Sequence, residues 1–199
     1  MQRPFLTAAT LIALAIPLSS AQAQSAAEKI LTQRFEIQIE LATSGDLQAQ
    51  LDVATAYQHG SGVTKDMAEA IRWYEAAAGQ GSPVAMEQLG SIYHRSVAWD
   101  DNSPEAQAAV AKATEWYLRA ARLGHAGAQN SLGLIYGFGD RVDADPVRGR
   151  MWLFVAEANG HVMQGSLMGR LEERMTADDL DAALQASKVC LDSNYDECG

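Results

Sequence analysis

The residues of this 199-residue chain whose types could do chemistry are four histidines, two cysteines and one glycine-rich turn. His59 and His94 each stand just after a tyrosine, Tyr57 and Tyr93, and could face one groove. Two imidazoles fall short of the three or four ligands a zinc ion takes, and no third ligand stands at a matching position. His125 and His161 each follow a glycine and read as helix-end residues. The stretch GSGVTK from Gly60 lacks both the spacing of a phosphate-cradling loop and the Ser or Thr that must follow its Lys. Neither His-Glu-x-x-His nor Gly-x-Ser-x-Gly occurs. No catalytic or metal-binding residue and no cofactor is assigned from the sequence.

The cysteines point to structure. Cys190 and Cys198 enclose Leu191 to Glu197 and read as a disulfide formed in an oxidising compartment. Closing so short a loop contributes about 2–3 kcal/mol in the chain-entropy model, enough to pin a tail. Such a compartment fits the N-terminus. Arg3 precedes an apolar run from Phe5 to Leu18 that is interrupted by Thr7, Thr10 and Pro17 and too short for a bilayer, and Ala21-Gln22-Ala23 supplies small residues for a cut. Residues 1–23 read as an export signal. The expectation is an exported protein, periplasmic or secreted, with no stable membrane insertion. Losing Arg3 takes the formal charge from -10 to -11, because residues 1–23 hold no Asp or Glu. So acidic a surface repels phosphate backbones and excludes nucleic acid as a partner.

The elements that hold these residues announce themselves by repetition. Trp73, Trp116 and Trp152 recur in similar surroundings, and Gly81, Gly124 and Gly160 follow each by eight residues. Four residues past the first two glycines, AMEQLGSIY from Ala85 and AQNSLGLIY from Ala128 echo AQLDVATAY from Ala49, each closing on a tyrosine: Tyr57, Tyr93, Tyr136. The steps of 36 and 43 residues between those alanines suit a two-helix unit. Ala49, Val53, Ala56 and Tyr57 form one helical stripe, and Ala70, Trp73 and Ala77 another. Asp66, with Glu69 three residues on, predicts a helix start, and so does Asp145 before Pro146. Alanines and the glycines of the two Leu-Gly pairs, Gly90 and Gly133, provide hollows, and Trp73, Trp116, Trp152 and the closing tyrosines fill them as the core. One unit cannot cover its own stripe, so neighbours must stack.

The order Ala, Leu-Gly, Tyr, Gly-x-Gly-Val, Asp, Ala, Trp-Tyr, Ala-Ala, Gly resembles the Sel-1-like repeat, a relative of the tetratricopeptide repeat, over about residues 45–174. The resemblance implies an all-α fold, an α-solenoid of antiparallel helix pairs. The organisation read from the chain is a signal at 1–23, an N-terminal capping helix at 24–48, three repeats at 49–84, 85–127 and 128–162, and C-terminal capping helices with a disulfide-closed tail at 163–199. Two departures stand out. The middle unit has HRSV after Tyr93 in place of glycines and carries seven extra residues, which lengthen its second helix from Ser103-Pro104 and predict that it projects. In the third unit Arg141 occupies the place of the second turn glycine. Trp99, on the insertion, fits no repeat position and is a candidate contact residue. Thr176 and Asp179 predict a capping box for a last helix whose weakly apolar face is Leu180, Ala183, Leu184 and Ser187.

By the family's geometry the concave face is lined by Leu51, Thr55, Gln58 and His59 in the first unit, Glu87, Ser91, His94 and Arg95 in the second, and Asn130, Leu134 and Phe138 in the third. The resemblance implies a non-enzymatic adaptor that holds a protein or peptide there. The alternatives are a cell-wall-related enzyme that hydrolyses or binds β-lactams and a binder of peptidoglycan fragments. The relatives of the enzyme type carry a cysteine pair in each repeat, whereas this chain has one pair outside them.

Overall fold

The computed structural model describes residues 20–98, 101, 103–162 and 165–198, with the side chains of 20–23 and of 165–166 left aside. Residues 1–19, most of the expected export signal, and Trp99 lie outside the described residues. Among the described residues the chain is helical throughout, with no strand: α1 (Ser20–Thr43), α2 (Leu47–His59), α3 (Met67–Gly79), α4 (Pro83–Arg95), α5 (Pro104–Ala121), α6 (Ala126–Phe138), α7 (Pro146–Ala158), α8 (Gly165–Glu172) and α9 (Ala177–Asp192). Each of α1 to α6 packs on the next along the chain, and α9 folds back onto α7. The result is a solenoid of three helix pairs, α2–α3, α4–α5 and α6–α7, with a helix at each end.

Short polar side chains start these helices. Asp46, Asp66, Ser82, Ser103 and Asp145 each accept a backbone N–H of the first turn, and Pro83, Pro104 and Pro146 take the first helical position where a missing N–H costs nothing. His125 does the same for α6 through Nδ1, 3.3 Å from the Ala128 nitrogen. Thr176 and Asp179 form the reciprocal capping box of α9. Gly45, Gly81, Gly124 and Gly160 turn the chain after α1, α3, α5 and α7 with φ between +77° and +96°. α1 therefore ends as the second helix of a repeat does.

α5 spans 18 residues against 13 for α3. Its added turns do not stand clear of the molecule as expected, because Ala106 and Val110 are fully buried. Trp73 and Trp152 are core residues, but Trp116, Tyr57, Tyr93 and Tyr136 sit half-buried at the edge of the core. Cations cover three of these rings: Arg119 lies 4.3 Å from the Trp116 centroid, Lys112 4.2 Å from Tyr93 and Arg148 4.0 Å from Tyr136. The hollows at the Leu-Gly glycines belong to the residue after each Trp. A Cβ at Gly90 would lie 2.7 Å from the Tyr117 ring, and one at Gly133 would lie 2.4 Å from Leu153. Tyr74 and Tyr117 are thus the buried tyrosines.

Glutamines lock successive pairs together. Gln50 Nε2 donates to the Ala42 carbonyl (3.3 Å) while its Oε1 accepts from Gln80 (2.8 Å). In the third pair Gln129 Nε2 donates to the Ala121 carbonyl (3.0 Å) and its Oε1 accepts from Asn159 (2.9 Å). The C-terminal tail joins that second lock: Tyr195 donates its phenolic proton to Asn159 Oδ1 at 2.9 Å. Cys190 and Cys198 form the disulfide that closes this tail, and Ala183, Ser187 and Cys190 form the buried face of α9. Leu184, expected on that face, is exposed.

Candidate functional site

Tyr74 and Tyr117, on the second helices of their pairs, reach across to the first helices. The Tyr74 hydroxyl donates to Gln58 Oε1 at 2.7 Å and lies 3.1 Å from Thr55 Oγ1. Burial raises the Tyr74 phenol pKa above its usual value, with the charge of Glu87 adding to the rise and the Thr55 hydrogen bond and Arg95 opposing it. Burial likewise pushes the Tyr117 phenol up to about 12; Glu87 adds to the rise, and Ser131, Ser91 and Arg95 pull it back. Over the first two pairs the floor is therefore a row of hydroxyls and amides. In the third pair Leu153 stands where Tyr74 and Tyr117 stand in the others, and supplies no hydroxyl there.

Beside the third pair lies a cavity of about 870 Å3. Leu134, Ile135, Phe138 and Leu167 form its apolar side, Tyr117 and Ser131 its polar side, and Asp140, Arg141 and Arg170, with the His94 imidazole, its rim. Arg170 lies 5.9 Å from the Phe138 ring centroid. A second, smaller hollow of about 300 Å3 is lined by Gln58, His59, Lys65, Ile92 and Arg95.

The rim of the larger cavity is fixed by Arg141. Its φ of 55° is left-handed, a conformation that costs a side-chain-bearing residue about 1–2 kcal/mol. Its side chain is 4% exposed and makes three attachments: Nη1 donates to Asp140 Oδ1 at 2.6 Å, Nε to the Asp101 carbonyl at 2.8 Å and Nη2 to the Ala98 carbonyl. The other Asp140 oxygen pairs with His94 Nε2 at 2.6 Å. One network thus ties α4, the insertion after it and the α6–α7 turn together.

The expected groove residues fall into separate places. His94, Leu134 and Phe138 meet in the large cavity; Gln58, His59 and Arg95 share the small one; Thr55 lies beside α1 with Arg34 and Asp52. Leu51 packs partly into the core, and Gln58 is buried at 6% exposure, its oxygen held by Tyr74. Glu87 accepts from Gln88 Nε2, the Ser91 carbonyl accepts from Arg95, and Asn130 is half-buried on α6. His59 and His94 do not share a groove. Among the described residues no three His, Cys, Asp or Glu side chains are placed to hold a metal ion. A histidine–carboxylate pair beside a serine raises the question of a nucleophile, but Ser131 Oγ donates to the Gly127 carbonyl at 3.0 Å and is committed to its own helix.

The Sel1 repeat pattern matches residues 47–82, 104–125 and 126–161, passing over the stretch with α4 and the insertion. A crystal structure of a Sel1 repeat protein from Oxalobacter formigenes is 31% identical, covering 71% of this chain and 98% of that one with a TM-score of 0.53. This chain is a Sel1-repeat protein. A protective antigen of uropathogenic Escherichia coli with an SLR fold is also similar, at 23% identity over 89% of this chain and 48% of that one, with a TM-score of 0.39. No curated protein sequence matches.

Against the Sel1 pattern, the side chains of the site that sequence reasoning missed are Tyr117, Ser131, Ile135, Asp140, Leu167 and Arg170. Arg141 was visible as a departure at a glycine position, but only its left-handed backbone and its reach to Ala98 and Asp101 reveal what it does. Tyr117 was visible as the second half of Trp-Tyr; that it passes Gly90 to reach the cavity is a matter of helix crossing.

Proposed function

We propose that this Sel1-repeat protein is an exported, non-enzymatic adaptor that holds an extended segment of another protein along its concave face. The observation that carries the reading is the cavity of about 870 Å3 at the third repeat, whose apolar side of Leu134, Phe138 and Leu167 adjoins hydroxyls and Arg170. Such a site takes one apolar side chain of a partner as an anchor and pairs the adjoining backbone or a carboxylate with the polar rim. The exposed Thr55 and half-buried Ser91 suit main-chain groups better than a second large apolar residue. Export is supported by the Cys190–Cys198 disulfide, which forms in oxidising compartments, and by the arrangement of residues 1–23. Among the described residues no helix is long and apolar enough to cross a membrane.

To test the reading, a captured partner is purified, and its affinity is measured for the wild-type chain and for Leu134→Asp and Phe138→Ala. Both variants should bind at least tenfold more weakly while melting within a few degrees of wild type. Equal affinity would move the site elsewhere. A chromogenic β-lactam turned over by wild type but not by a His94→Ala variant would replace the adaptor reading with an enzymatic one. Cell fractionation with N-terminal sequencing tests export, with Gln24 expected as the first residue.

A further inference from the structure

The hollow of about 300 Å3 where α2 and α4 end contains a buried donor that no protein group satisfies. Gln58, 6% exposed, lies in its wall, and its Oε1 accepts from Tyr74 at 2.7 Å. Its Nε2 has no partner among the described residues, so two N–H groups are left to the hollow. Folded chains rarely leave a buried amide donor unpaired, because taking it out of water has a cost that only an acceptor offsets. The polar groups around Gln58 donate as well. Lys65 and Arg95, exposed at the rim with His59, form no ion pair among the described residues. Arg95 gives only Nε to the protein, to the Ser91 carbonyl at 3.3 Å, and keeps its terminal nitrogens uncommitted. None of the lining residues is acidic. Asp66, next to Lys65 in the chain, spends its carboxylate on the first N–H groups of α3. Ile92, 7% exposed, and Met67 give the hollow its apolar side.

The geometry points to a binding site for a carboxylate carried on a short aliphatic group. Charge decides between anions. Lys65 and Arg95 bring two positive charges, while the C-termini of α2 and α4, which both end here, each bring roughly half a negative one. What remains is about one positive charge, matched to a carboxylate and too little for a phosphate dianion. Arg95 offers a fork to the two carboxylate oxygens, Lys65 a point charge and Gln58 Nε2 a third donor, and Ile92 with Met67 receives the aliphatic part. A volume of about 300 Å3 is at the lower end of ligand pockets and takes one small apolar group beside its anion. A free organic acid and the C-terminus of a peptide present this chemistry alike. The hollow shares no lining residue with the larger cavity, so this site stands or falls apart from the anchor site there.

Its test is a nuclear magnetic resonance titration of the purified protein with four probes: isovalerate, the peptide N-acetyl-Ala-Leu, the amide of that peptide, and inorganic phosphate. Isovalerate or the free peptide should shift the Gln58 side-chain amide signals and saturate, and the peptide amide should bind about tenfold more weakly. A free peptide that binds more tightly than isovalerate names a chain terminus as the source; equal binding names a free acid. Lys65→Gln and Arg95→Gln, both at exposed positions, should each weaken the carboxylate by about tenfold and melt with wild type. The inference is overturned if neither carboxylate moves the Gln58 signals or if both variants bind as wild type does. Binding of the peptide amide as tight as that of the free peptide, or phosphate binding more tightly than either carboxylate, overturns it too.

Discussion

Gly60, Gly62 and Asp66 of the first repeat have counterparts 79 residues later in Gly139, Arg141 and Asp145. The two turns close with the same hydrogen bonds. Gly60 and Ser61 donate to the Ala56 carbonyl as Gly139 and Asp140 donate to Ile135, and Asp66 donates to Tyr57 as Asp145 donates to Tyr136. Gly62 and Arg141 share a left-handed backbone, with φ of +77° and +55°. What differs is the neighbour. A Cβ at Gly62 would lie 2.3 Å from the Leu31 carbonyl oxygen, because α1 lies against that turn. At Arg141 there is room, and the side chain reaches across to the insertion. The turn requires a positive φ, but glycine itself is required only where another backbone presses in.

The largest effect should come from breaking the crowded turn. Gly62→Ala adds the cost of a left-handed alanine to a clash with backbone that cannot rotate away, about 3 kcal/mol or more in all, read from urea unfolding. The open turn answers differently. Arg141→Ala loses the attachments to Asp140, Asp101 and Ala98 and keeps the strain, for about 3 kcal/mol, since hydrogen bonds from charged donors are the strong ones. Arg141→Gly loses the same attachments but relieves the backbone, and should recover about 1 kcal/mol of that loss. If the glycine variant equalled wild type, the network would contribute nothing beyond the strain it offsets.

The same contrast marks what the sequence could disclose. The repeat register, the helix caps at Asp66, Asp145 and Thr176 and the Cys190–Cys198 pairing follow from local chemistry: a side-chain oxygen finds an N–H two or three residues away whatever the rest of the chain does. Which ring fills which hollow does not. The Trp-Tyr pairs announced aromatic cores, yet the helix crossing turns Tyr117 toward Gly90 and leaves Trp116 half-buried beneath Arg119. At the third crossing Gly149 stands where the first repeat has Ala70, and a Cβ there would lie 2.4 Å from Gly137. One missing methyl lets two backbones touch, and periodicity counts both residues as small. The cavity escaped for a related reason. It needs Leu167 from the next helix and an arginine at a turn, two departures that carry no shared pattern.

The floors of the two ends give a smaller effect. Tyr74→Phe removes the donor to Gln58 Oε1 and should cost about 1–2 kcal/mol, because Gln58 is buried and its oxygen loses its partner. Leu153 has no such obligation, so Leu153→Met, which keeps the volume, should cost less. A Tyr74→Phe variant melting with wild type would mean that Gln58 turns to water, and that the polar floor is softer than its hydrogen bonds suggest.

The least effect at neutral pH belongs to Tyr117→Phe, and its signature lies in alkali. Folding raises the Tyr117 phenol from the usual 10.0 to about 12, chiefly by burial. A group whose folded pKa is raised contributes a stability that is complete below its unfolded pKa and lost as pH rises through the folded one, since the unfolded chain releases the proton first. Wild type should therefore lose stability between about pH 10 and pH 12, and Tyr117→Phe should flatten that limb while changing the pH 7 melt little. Tyr74, raised in the same direction, keeps a part of the slope in the first repeat. The third repeat, with Leu153 in that place, has no phenol to ionise there. Amide exchange followed as pH rises should accordingly show α2 to α5 opening before α6 and α7, and the reverse order would place the alkaline weakness in the C-terminal end.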